Sequence, residues 1–188
     1  MCRRISDLLH DLSGTWVTLS ALVVFVLFAA LVLPGQAALA ERIAAGAGSP
    51  DTSVFYTPSD LYRMAEVYGP QGRQAYIRAR WTFDLAFPLV YAAFLSTAIS
   101  WLWARAVSPD SLWRRGNVIP LLAAVVDFLE NAATSLVMAR YPARTAPAAM
   151  LAPVFTAVKW VLVAMSCVLL LAAAFAALWT AIRNRRRR

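Results

Sequence analysis

Residues 160–182 read WVLVAMSCVLLLAAAFAALWTAI, a stretch without a charged side chain. It is long enough to cross a lipid bilayer as a helix, which takes about 20 residues. Charge is absent in the same way between Asp11 and Glu41 and between Asp84 and Arg105. The chain of 188 residues is 61% hydrophobic and only 15% charged, whereas soluble domains carry about 25% charged residues. These patterns predict an integral membrane protein.

The apolar runs predict four transmembrane helices, over residues 15–39, 81–104, 117–139 and 150–181. Asp127 and Glu130 interrupt the third run, so a soluble amphipathic helix is the alternative there. We expect an all-α fold in which residues 1–188 form a single membrane domain, a polytopic four-transmembrane-helix bundle. Residues 40–80 form the first outer loop of this arrangement.

The N-terminus could instead be a signal peptide. Arg3 and Arg4 precede the first apolar run, and the small residues 38–40 after it resemble a cleavage site. The apolar core over residues 16–33 is longer than the roughly 7 to 15 residues of a signal peptide. We therefore expect the first helix to be retained.

Within the first outer loop, residues 57–60 read TPSD, which is typical of a helix start with an N-cap and a proline in the first turn. Gly69 and Pro70 would end this short helix. An apolar stripe at helical spacing is formed by Leu61, Met64, Ala65 and Tyr68. The predicted amphipathic helix could lie on the membrane surface, fold over the bundle as a lid, or pack as an ordinary loop.

Basic residues predict the topology. The formal charge is +8, and ten arginines lie in the two tails and the middle loop, against seven in the first and third loops. The positive-inside rule then favours cytoplasmic N- and C-termini in a bacterial cytoplasmic membrane. The run Arg185–Arg188 could bind nucleic acid, but directly after a span it is better explained as an anchor that attracts anionic lipid. We expect no nucleic-acid partner.

The third predicted span carries a polar face, since Asp127, Glu130 and Asn131 fall on one side of the helix. A charge at the centre of a bilayer costs about 2.5 to 3.5 kcal/mol or more, so this face should point into the bundle. Asp84 on the second span and Lys159 on the fourth lie at a similar depth. The sequence therefore predicts a polar site between three helices.

This constellation suggests acid chemistry. A low-dielectric environment favours a neutral carboxyl, so one of Asp127 and Glu130 could keep a proton while the other stays an anion beside Lys159 or Arg80. An acid next to a carboxylate suits protonation of an alkene in an isoprenoid or sterol-like lipid, with aromatic faces attracting the resulting cation. The candidate catalytic residues are Asp84, Asp127 and Glu130. The candidate ligand-binding residues are Arg80, Trp81, Tyr91, Asn131, Lys159 and Trp160.

We expect neither a metal nor a cofactor. The only histidine, His10, lies in the N-terminal tail, and the two cysteines, Cys2 and Cys167, have no metal-ligand spacing. The sequence contains no nucleotide-binding motif.

Three functions remain open on the sequence: a lipid- or isoprenoid-binding enzyme of the isomerase or cyclase type, a small proton-coupled transporter, and an accessory subunit of a membrane complex. The partner expected for the first is a membrane lipid or a hydrophobic small molecule. A purely structural explanation is also available, because interhelical polar groups often only fix helix packing.

Two resemblances bear on this choice. One pattern resembles uncharacterised bacterial four-helix membrane proteins: Phe83, Asp84, Phe87, Pro88 and Tyr91, followed by Asp127, Glu130 and Asn131. The layout of a first span, an outer loop and a second span with an acid, a proline and a tyrosine is similar to the EXPERA group, which includes emopamil-binding sterol isomerases and the sigma-2 receptor. That resemblance implies a pocket inside a four-helix bundle in which acids near Asp84 and Glu130 bind a cationic or carbocation-like ligand. This chain differs from the group in lacking a histidine in the bundle and in having Lys159.

Overall fold

The computed structural model describes residues 2–50 and 53–186, and this part of the chain is helical without a strand. The helices are α1 (Cys2–Leu12), α2 (Thr15–Leu31), α3 (Leu33–Ala44), α4 (Pro58–Val67), α5 (Gly69–Arg80), α6 (Phe83–Ala106), α7 (Ile119–Arg140) and α8 (Ala146–Arg185). A 3₁₀ helix over Leu112–Val118 precedes α7. The all-α prediction is therefore confirmed. Of the predicted C-terminal arginine run, Arg187 and Arg188 lie outside the described residues.

Three helical stretches of the described chain are long and apolar enough to cross a membrane: Gly69–Ala106, Leu112–Arg140 and Ala146–Arg185. A fourth is obtained if Arg3–Leu12 and Thr15–Leu31, which meet at 92°, are counted as one span. These lengths and compositions are those of an integral membrane protein.

The first predicted span differs most from the structure. The apolar run over residues 15–39 is divided, because α2 ends at Leu31 and α3 begins at Leu33. Pro34 lies in the first turn of α3. Proline lacks the backbone N–H that would continue the hydrogen bonds of α2, but it is well tolerated where a new helix starts. Hydropathy alone does not show this break.

The described chain forms two compact units. Unit 1 consists of Met1–Val26, Val90–Leu122 and Leu162–Arg188, and unit 2 consists of Leu27–Leu89 and Ala123–Val161.

In unit 2, the core forms around α4. The predicted capping box is present: Thr57 accepts a hydrogen bond from the backbone N–H of Asp60, and the Asp60 carboxylate accepts one from the N–H of Thr57. Tyr68 donates a hydrogen bond to the carbonyl of Gly48 at 2.7 Å. The apolar stripe of α4 and its small-residue neighbours on α7 and α8 are buried together: Leu61, Met64, Ala65, Tyr68, Ala133, Val137, Ala149 and Ala152. The apolar face of this helix is therefore part of a protein core.

In unit 1, α1 packs against the 3₁₀ helix. Asn117 is fully buried and donates hydrogen bonds from Nδ2 to the carbonyl of Ser6 at 3.1 Å and to Oγ of Ser100 at 2.8 Å. Gly116 permits a close approach, because a Cβ atom there would lie 2.9 Å from Cδ1 of Leu169. A larger side chain at this position would force Leu169 to move.

Candidate functional site

Unit 2 contains a buried group of five charged side chains, which we call the charged cluster: Arg80, Asp84, Asp127, Glu130 and Lys159. Each is at most 9% exposed, and Glu130 is fully buried. Buried ions are stable only when they are paired, so the contacts within this cluster define what it can do.

Lys159 on α8 joins two acids of α7. Its Nζ lies 2.5 Å from Oε2 of Glu130 and 3.5 Å from Oδ1 of Asp127. The two acids are three residues apart, which places them on the same side of a helix. The Nζ also lies 5.6 Å from the ring centroid of Trp160, within range of a cation–π contact.

Glu130 is held by a second group of contacts. Oγ1 of Thr156, one turn before Lys159 on α8, lies 2.8 Å from Oε1 of Glu130 and 3.1 Å from the hydroxyl of Tyr56. Tyr56 is 3% exposed and comes from the segment before α4. Neither Thr156 nor Tyr56 is among the site residues predicted from the sequence. Thr156 could have been predicted, because it lies three residues before Lys159 and so on the same face of the helix. No periodicity in the sequence pointed to Tyr56.

Arg80 and Asp84 form the other part of the charged cluster. Their side chains pair at 2.6 Å across the short break between α5 and α6. The guanidinium of Arg80 lies 4.8 Å from the ring centroid of Tyr76. Asn131 donates a hydrogen bond from Nδ2 to the carbonyl of Asp84 at 3.3 Å, which links α7 to the start of α6. The six predicted polar residues therefore form two sets of contacts: Asp127, Glu130 and Lys159 in one, and Arg80, Asp84 and Asn131 in the other.

The three predicted aromatic site residues, Trp81, Tyr91 and Trp160, are not all buried beside the charged cluster. Trp81 is 47% exposed and Trp160 is 39% exposed, so both present large apolar surfaces outside the packed core of the chain. Tyr91 is buried, but it belongs to unit 1. The structure thus places Trp160 beside a cation of the charged cluster and gives no such contact for Trp81.

The charged cluster holds three carboxylates and two cations, so its formal charge is −1 when every group is ionised. One additional proton would bring this formal charge to zero. Neutrality matters because an uncompensated charge is costly away from water.

Comparisons of the chain with protein-family models, curated proteins and solved structures found no match. Within residues 2–50 and 53–186, no three or more His, Cys, Asp or Glu side chains are grouped in a way that could hold a metal ion. The chemistry that the described residues offer here is that of acids, a lysine, an arginine and hydroxyl groups.

Proposed function

We propose that this protein is a membrane-embedded enzyme of the isomerase or cyclase type that binds an isoprenoid or sterol-like lipid and acts on it through the charged cluster. The observation that carries the proposal is that Asp127 and Glu130 share one cation, Lys159, in a buried site. Such a site can hold one carboxylic acid and one carboxylate at the same time, which is the pairing that acid-catalysed rearrangement of an alkene needs.

The reaction balances without a further reactant. The acid member of the Asp127–Glu130 pair transfers its proton to one carbon of a C=C bond, which leaves a carbocation on the substrate and a carboxylate on the protein. A carboxylate then removes a proton from a carbon next to the cation, and the double bond forms at its new position. The protein ends with the same number of protons with which it began.

The neighbouring residues would assist this chemistry by position and charge. Lys159 stabilises whichever acid is ionised, and Thr156 with Tyr56 orients the carboxyl of Glu130. The face of Trp160 can stabilise a nearby cation through its ring electrons. The similarity of the layout to that of the EXPERA group, noted from the sequence, favours the same class of ligand. We place the protein in a bacterial cytoplasmic membrane with both termini in the cytoplasm, as the arginine distribution favours.

A second candidate function is proton-coupled transport. It is favoured by the unbroken series of exchangeable groups from Tyr56 through Thr156 and Glu130 to Lys159 and Asp127. Intramembrane acids in contact with one another are typical of proton pathways. Under this hypothesis, the lipid would not be a substrate and proton movement would be the activity.

The test is mass spectrometry of organic extracts from the purified full chain and from Glu130→Gln, which preserves side-chain shape but removes the acid. Glu66→Gln is the matched control, because Glu66 is an exposed acid of α4 outside the charged cluster. We expect an isoprenoid or sterol-like lipid at near-stoichiometric amount in wild type and in Glu66→Gln, and its loss in Glu130→Gln.

Bulk phospholipid alone in all three extracts would overturn the lipid-binding proposal. Proton flux would then be measured in proteoliposomes under a pH gradient. Flux that is abolished by Glu130→Gln and retained in Glu66→Gln would support transport. Without either result, the charged cluster would be a structural network that fixes helix packing.

A further inference from the structure

Helix α1 is separate from the site described above and has the geometry of a helix that lies on a membrane surface. It meets α2 at 92°, and only Ser13 and Gly14 separate the two helices. Its exposed apolar side chains include Leu8, 58% exposed, and Leu12, 57% exposed. Together with Ile5 and Leu9 they form a stripe at helical spacing. A charged helix with such a stripe lies in the interface and inserts its apolar face among the acyl chains.

The opposite face of α1 is fixed to the 3₁₀ helix. Oγ of Ser6 donates a hydrogen bond to the carbonyl of Arg114 at 3.4 Å, and Nε2 of His10 lies 3.2 Å from the same carbonyl. Asn117 donates from Nδ2 to the backbone of Ser6. These contacts hold α1 in place, so the surface that it forms with the 3₁₀ helix is defined rather than variable.

A cleft of about 270 Å³ lies between α1, the 3₁₀ helix and the segment before it. Its charged lining residues carry both signs: Arg3, Asp7, Asp110, Arg114 and Arg115. In the part of the chain that the structure describes, none of these arginines forms an ion pair with either aspartate. The cleft therefore presents positive and negative groups that do not neutralise one another directly.

We propose that this cleft binds the headgroup of a zwitterionic phospholipid that carries a phosphate and a primary ammonium, as in phosphatidylethanolamine. Guanidinium groups bind phosphate oxygens by charge-assisted hydrogen bonds, and the aspartates accept hydrogen bonds from the ammonium. The membrane is the source of the ligand because the apolar stripe of α1 places the cleft at the level of the headgroups.

Helix α1 carries two arginines and two aspartates that differ in whether they line the cleft, so they can be compared directly. Arg3 and Asp7 line the cleft, whereas Arg4 and Asp11 are exposed on the same helix and do not line it. The full chain and the four variants Arg3→Gln, Arg4→Gln, Asp7→Asn and Asp11→Asn are reconstituted in phosphatidylcholine nanodiscs. The discs contain equal small fractions of phosphatidylethanolamine and phosphatidylglycerol. Native mass spectrometry then counts the lipids that stay bound after release from the discs.

We expect wild type to retain phosphatidylethanolamine in preference to the other two lipids. Loss of a hydrogen bond to a charged group changes affinity by about tenfold, so Arg3→Gln should reduce retention by about that factor. Asp7→Asn should remove the preference over phosphatidylglycerol. Arg4→Gln and Asp11→Asn should behave as wild type.

Three results would overturn the proposal. Equal losses in Arg3→Gln and Arg4→Gln would show a diffuse attraction to the surface in place of a site. Preferential retention of phosphatidylglycerol, with no effect of Asp7→Asn, would remove the role of the ammonium. Competition by soluble glycerophosphoethanolamine at the same concentration as the lipid would show that the ligand is a water-soluble molecule.

Discussion

Lys159 is the only lysine in the chain, and its ammonium contacts two carboxylates that lie one turn apart on α7. The cost of burying these three groups is offset only while they remain together. A lysine differs here from an arginine. Its ammonium is a compact charge with three donors that can reach separate acceptors. This suits a cation that serves Asp127 and Glu130 together.

Lys159→Met is expected to destabilise the protein by about 3–5 kcal/mol, because it leaves buried carboxylates without their shared cation. Denaturant unfolding in detergent micelles measures the change. The double variant Lys159→Met/Glu130→Gln should recover part of the loss, since it also removes one of the two acids. A single variant as stable as wild type would show that the ion pairs contribute nothing to folding.

The residues of the charged cluster could be found from the sequence because a charge in an apolar run is conspicuous and helical spacing assigns it to a face. Tyr56 could not be found in this way. Its contact with Thr156 joins positions 100 residues apart, and no local pattern encodes such a contact. The pairing of Lys159 with two acids also depends on how the helices are rotated, which depth along the chain does not specify.

At the scale of the element, α4 begins where the TPSD pattern predicts because its first turn satisfies its own backbone groups. Helix α1 was not predicted, because residues 1–14 contain no long apolar run and were expected to be a tail. The signal was present in the spacing of Ile5, Leu8, Leu9 and Leu12. The break between α2 and α3 was missed because a proline inside an apolar run is compatible with a membrane helix, and only tertiary packing decides whether the helix continues.

The capping box gives α4 a dependence on pH. Hydrogen bonds from the Thr57 side chain and backbone lower the pKa of Asp60 below its ordinary value of 3.8. A lowered folded-state pKa contributes stability that is complete above the unfolded value and is lost as the pH falls through the folded one. The protection factors of α4 amides in hydrogen exchange should therefore decrease in acid in wild type.

Asp60→Asn removes the titrating group, so its α4 protection should be lower at neutral pH and nearly independent of pH in the acid range. Glu66→Gln, on the same helix but outside the capping box, is the control. An acid-induced loss of protection that persists in Asp60→Asn would assign the pH dependence to another group.

At the scale of the whole molecule, the four spans expected from the sequence would place both termini on one side of the membrane, and the arginine distribution predicts that this side is the cytoplasm. In a background in which both cysteines are replaced by serine, Ser59→Cys reports on α4 and Ser108→Cys reports on the segment after α6. A membrane-impermeant maleimide added to spheroplasts should label the first position and leave the second unlabelled until the membrane is opened. Labelling of Ser108→Cys in intact spheroplasts would contradict this topology.

The length of α8 bears on where the charged cluster lies in the membrane. This helix has 40 residues, and its uncharged part over residues 160–182 rises about 34 Å at 1.5 Å per residue. That length is close to the roughly 30 Å of hydrocarbon in a bilayer, and Lys159 and Arg183 are the charged residues that flank it. We therefore expect the charged cluster to lie closer to one surface of the membrane than to its midplane. Under the proposed function, a hydrophobic substrate would then reach the cluster by lateral diffusion within the nearer leaflet, and protons would come from the aqueous phase next to it.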